Sequence, residues 1–186
     1  MRYIFDAARS RFNVQAFATG VLSGFGHNPV FAIRNFSGEM RLDPQSTVNA
    51  AFEMTVRAES LELNDQIKEA DRQEITRALR EDVLHTSKYP QIGFRSTQIA
   101  LTTIAENWSR AQIQGEMALH GTTQPQQIDA QVRILEGELR LNGEFVLLQS
   151  SFKIKRISAL AGMIKVRDEL KFTFDLVCVT QEQLAP

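Results

Sequence analysis

Three histidines, one cysteine and a run of bases are the side chains in this chain best suited to chemistry. His27, His85 and His120 could move protons or, as neutral imidazoles, bind a metal. They stand far apart, with no pair at the spacing of metal ligands, and read as three independent turn residues. A second role is open to His27 and His120: hydrogen bonds to a polar head group at the mouth of a cavity. Catalysis by any of the three would need an orienting partner, and none lies at a telling spacing. Cys178 lies between Val177 and Val179 and reads as a small core side chain, since nothing beside it would lower a thiol pKa. The stretch Gly24-Phe25-Gly26-His27-Asn28-Pro29 carries two glycines of a dinucleotide fingerprint, lacks the third, and puts proline where a helix should begin. No nucleophile elbow, phosphate loop or metalloprotease helix is present. These residues therefore predict no catalytic site, no metal and no cofactor.

The bases Lys153, Lys155, Arg156, Lys165 and Arg167 cluster toward the C-terminus. A solvated strand face explains them. The other reading is an anion site at a barrel rim, for phosphate or an acidic lipid surface. Acids (22) and bases (21) nearly cancel over the whole chain, which argues against a nucleic-acid partner.

The elements that would position such groups follow a period of two. Phe52, Met54 and Val56 share one face, with Glu53, Thr55 and Arg57 on the other, as in a half-buried strand. Phe94 with Ile92, Met117 and Leu119 with Ile113, and Leu141, Phe145 and Leu147 with Leu139 repeat the pattern. So do Phe172 and Phe174, between Leu170 and Leu176. Roughly eight such segments, including 9–18, 31–42 and 126–135, are separated by turn signals, which suggests an all-β sandwich or barrel. Gly115 and Gly143 fall on apolar faces, where interior glycine marks a bend or a close approach. Residues 65–84 break the period. They are charged and rich in helix formers, with a thin stripe of Ile67, Ile75, Ala78 and Leu79. One or two helical turns over a barrel end are expected there, capped by Asn64 or Asp65 and stopped before Pro90. The 186 residues fit a single domain. No window reaches the roughly 20 apolar residues of a membrane-spanning helix, and the opening Met1-Arg2-Tyr3-Ile4-Phe5-Asp6 does not read as a signal peptide. A cytoplasmic location is the expectation.

Several stretches, in order along the chain, resemble the YceI-like family of lipocalin-like barrels. The opening from Tyr3 to Phe12 is similar to the family's first hairpin, and Phe36-Ser37-Gly38 to its "F-x-G" strand. The stretch Asp82-Val83-Leu84-His85-Thr86-Ser87-Lys88-Tyr89-Pro90-Gln91-Ile92-Gly93-Phe94-Arg95-Ser96 follows its "D-x-L-x-x-x-x-Y-P-x-I-x-F-x-S" pattern. Gly115-Glu116-Met117-Ala118-Leu119-His120-Gly121-Thr122-Thr123-Gln124-Pro125 resembles its "G-x-L-x-x-H-G-x-T-x-P" turn. The resemblance implies an eight-stranded antiparallel barrel with a helix near one end, an apolar cavity for an isoprenoid chain, and pairing as a homodimer. Two features depart from the family. Many relatives are secreted to the periplasm, and Arg156 is followed here by Ile157-Ser158-Ala159-Leu160-Ala161-Gly162 rather than an aspartate–aromatic–glycine element. The expected function is to bind, carry or sequester an amphiphile (isoprenoid, quinone or fatty acid) on an inward face of Phe52, Met54, Val56, Phe94, Met117, Leu119, Leu141, Phe145, Phe172 and Phe174. His27, His120 and Arg156 are expected at its head group. The alternatives are an enzyme using a histidine on such a lipid, and a packed barrel serving as an interaction module.

Overall fold

Alternating side chains commit most of this chain to long strands with one dry face. The computed structural model describes residues 1–19, 28–43, 46–135, 137–155, 158–159 and 164–180. The strands are β1 (Arg2–Thr19), β2 (Val30–Ile33), β3 (Phe36–Asp43), β4 (Ser46–Arg57), β5 (Leu61–Leu63), β6 (Gln91–Ala105), β7 (Trp108–Leu119), β8 (Thr122–Leu135), β9 (Glu138–Leu148), β10 (Ser158–Ala159) and β11 (Ile164–Thr180). Short β2 leads into β3 across Arg34-Asn35, and β4 into β5 across residues 58–60. Counted that way, eight antiparallel strands surround the core, and β11 closes the circle by pairing with β1. The segment 31–42, read as one strand, is thus broken at Arg34-Asn35, where the upper part leaves β4 to pair with β5.

Closure requires bends, and two glycines permit them. A Cβ at Gly115 would lie 2.6 Å from Phe94 Cζ, with the Arg95 carbonyl also in its way. A Cβ at Gly143 would lie 2.8 Å from Phe174 Cζ and would meet the Asp129 carbonyl. In both places a phenylalanine ring covers the bare backbone, a device that suits strongly curved sheets.

The single α-helix among the described residues, α1 (Glu69–Ala78), continues into a wider turn at Leu79–Val83. It is longer than the one or two turns expected, and it starts after Lys68 rather than at Asn64 or Asp65. The Asp65 carboxylate is engaged elsewhere, accepting from the Val30 N–H at 3.3 Å. Arg72 instead anchors the helix by donating to the carbonyls of Leu63 and Asp65. No described helix is long and apolar enough to cross a membrane.

Candidate functional site

The barrel interior divides into a filled half and a hollow half. Phe52, Leu141, Ile113, Leu139 and Cys178 are buried in the filled half, packed side chain to side chain. Phe52 touches the rings of Phe5 and Phe94, at centroid distances of 5.6 and 5.8 Å. Burial pushes the Cys178 thiol up to about 12, so it stays protonated at neutral pH.

The hollow half is a cavity of about 150 Å³ beneath α1. Met54 and Val56 of β4, Phe94 of β6, Met117 and Leu119 of β7, and Phe145 and Phe172 of β9 and β11 stand on its wall. Three expected residues, Phe52, Leu141 and Phe174, face inward but lie outside that wall. Phe174 is occupied in covering Gly143. Residues outside the expected inward face add to the lining: Phe12 and Val14 from β1, Phe31 from β2, and Leu79, Val83 and Leu84 from the helical segment. The apolar stripe containing Leu79 was a signal for the last group, while strand alternation in residues 9–18 was a signal for the first. Among the described residues Gln149 is the one polar side chain on the wall.

The barrel wall is looser on one side of this cavity. β8 and β9 pair only between Asp129↔Glu144 and Leu135↔Glu138. Toward the cavity end, side chains replace the ladder. Gln126 Nε2 donates to the Val146 carbonyl at 3.3 Å, and Gln124 Nε2 to the Ser151 carbonyl at 3.2 Å.

Two of the histidines are not independent, contrary to their reading from spacing. The barrel brings the start of β6 beside the β7–β8 turn, and His85 Nδ1 sits 2.7 Å from His120 Nε2. His120 Nδ1 faces the Phe152 carbonyl at 3.3 Å. A carbonyl only accepts, so His120 carries a proton on Nδ1, and while His120 is neutral the His85 Nδ1–H donates to its Nε2. Both residues have positive φ, 45° and 51°, in the left-handed region. Tyr89 packs on His120 with centroids 4.6 Å apart. Burial lowers the His120 pKa, and the nearby charges of His85 and Lys88 add to that, while the Phe152 hydrogen bond opposes it. The pair lies outside the set of residues lining the cavity, and no carboxylate of a described residue is bonded to it. Among the described residues no group of His, Cys, Asp or Glu could hold a metal.

The basic run is not a strand face over its first part. Residues 149–152 form a 3-10 turn that ends on Lys153 with φ 57°. Ile154 turns onto the cavity wall, while Lys153 and Lys155 are exposed. His27 and Arg156 lie outside the described residues.

A closed eight-stranded antiparallel barrel with one helix over a carbon-lined cavity defines the lipocalin-like class. Within that class the YceI-like domain profile matches residues 3–178, and the chain belongs to this family. Solved structures share the fold at low identity. Burkholderia cenocepacia BcnA is 19% identical, with a TM-score of 0.73 over 93% of this chain and 98% of that one. A polyisoprenoid binding domain from Saccharophagus degradans, implicated in plant cell wall breakdown, is 12% identical, with a TM-score of 0.72 over 96% and 98%. The Campylobacter jejuni YCEI protein is 13% identical, with a TM-score of 0.59 over 80% and 83%. No curated protein sequence matches the chain.

Proposed function

We propose that this protein binds an amphiphilic isoprenoid-type lipid, holding the tail in the hollow half of the barrel, and carries or sequesters it. The observation that carries the reading is the cavity wall, where Gln149 alone among the described lining residues has a polar side chain. A largely apolar cavity of about 150 Å³ suits an apolar guest. Each methylene buried there contributes on the order of 0.8 kcal/mol, so a tail has ample driving force. The flexible Met54 and Met117 and the loosely paired β8–β9 wall allow a longer tail to be accommodated. Family membership and the polyisoprenoid named for the Saccharophagus domain support the same ligand class. A histidine enzyme is less well supported, because the His85–His120 pair stands off the wall. Quinones and fatty acids belong to the same test. Protein stripped of lipid is loaded with a prenol, a quinone or a fatty acid and examined by native mass spectrometry. Stoichiometric retention of the isoprenoids is expected, and failure of all three to load would favour a barrel without a ligand. Pairing as a homodimer, implied by the family, is checked by analytical ultracentrifugation, and a cytoplasmic location by cell fractionation.

A further inference from the structure

Gln149 is 4% exposed and is the only buried polar side chain among the described residues. It stands where β9 passes into the 3-10 turn, on the wall of the cavity. That turn is pinned: the Ser150 N–H and hydroxyl both donate to the Asp168 carboxylate, at 2.8 and 2.5 Å. The Gln149 amide is held as well, with Nε2 donating to the Arg167 carbonyl at 2.8 Å. Because that carbonyl can only accept, the amide nitrogen must face it and Oε1 must point away. No described residue donates to Oε1 or takes the second proton of Nε2. Oε1 is not sealed inside the protein in the way that Trp108 Nε1 is. An amide so placed among carbon, with an acceptor and a donor both unused, is a poor way to fill a core and a good way to read a ligand.

We infer that Gln149 recognises the polar end of the bound lipid, and that this end is an uncharged group able to donate a hydrogen bond, a hydroxyl above all. The inference rests on the cavity being a lipid site. A hydroxyl donates to Oε1 and accepts the free N–H, satisfying both halves of the amide. A quinone or ester carbonyl accepts the N–H but leaves Oε1 empty. A carboxylate or pyrophosphate has no proton to donate and brings charge to a wall whose described residues include no Lys, Arg or His.

The test compares labelled farnesol with its methyl ether, which has the same tail and no donor, by equilibrium binding to delipidated protein. The wild type should bind the alcohol about tenfold more tightly, one hydrogen bond's worth of preference. Gln149→Leu should bind both alike. Equal binding of both by the wild type, or tighter binding of the ether, overturns the role of Gln149 while leaving the lipid cavity standing. Full preference retained in Gln149→Leu overturns it too. Binding of neither compound by the wild type sinks the lipid reading itself, and the inference with it. The wild-type comparison needs no variant, so poor folding of Gln149→Leu leaves the test intact.

Discussion

Phe145 lies flat against Phe172 on the cavity wall, with centroids 4.7 Å apart and planes 4° from parallel. It is the cleanest place to change the interior, because Phe94, on the same wall, also covers Gly115. Phe145→Asp should abolish lipid retention, since a carboxylate there must either stay protonated or draw water into the site. Phe145→Leu should destabilise by ~1–3 kcal/mol while leaving the barrel folded, and shift tail preference instead, because volume changes and polarity does not. Native mass spectrometry and urea melts of the two variants separate these outcomes. His120 supports a prediction about pH. Its pKa is lowered in the folded protein, chiefly by burial. Above the ordinary value of 6.5 the ring is neutral in both states and its full contribution to stability is present. As pH falls below that, the unfolded chain takes up the proton first, and stability is lost through the folded value. His120→Asn tolerates the left-handed backbone and cannot titrate, so its unfolding midpoint should fall less steeply between pH 7 and 5. Equal slopes for both proteins would contradict this assignment. Neither the His85–His120 pair nor Gln149 was legible in the sequence. The histidines meet only because the long β6–β7 hairpin returns to its start. Gln149 follows Leu147-Leu148 at a strand end, where glutamine ordinarily faces water.

At the scale of elements, the strands were the most legible part. Phe52, Met54 and Val56 alternate with polar neighbours, and the pleat sends such residues to opposite faces whatever surrounds them. The helix was legible in position but not in its ends, because Asp65 has the chemistry of a cap and is used instead by β2. Arg72 takes over the anchoring of α1 to the end of β5. Arg72→Ala should cost ~1–2 kcal/mol in urea melts followed at 222 nm, and should speed lipid release, since a guanidinium on backbone carbonyls is a charge-assisted bond. Arg72→Lys should recover only part of this, because one ammonium lacks the fork that spans both carbonyls. The bends carry their own prediction. Gly115→Ala should destabilise by ~1–3 kcal/mol, the usual cost of overpacking, because Phe94 and the Arg95 carbonyl occupy the space a methyl would need. A melt unchanged from the wild type would show that the strand can yield at this point.

For the whole molecule, closure of β11 on β1 leaves no open sheet edge between those strands and turns the apolar faces into an interior. Which half of that interior is hollow could not be read from the sequence. Phe52 and Phe94 sit in the same alternating pattern, yet one is packed between rings in the filled half and the other faces the cavity. The difference comes from where α1 stands over the barrel end and where β8 and β9 separate, both products of the assembled fold. The central claim is that the hollow half holds a lipid, and it is tested most directly on protein purified from its own cells. Organic extraction followed by mass spectrometry should recover an isoprenoid-type amphiphile at close to one molecule per chain from the wild type, and none from Phe145→Asp that has been shown to fold. Recovery of no lipid from the wild type, together with failure to load one afterwards, would contradict the account.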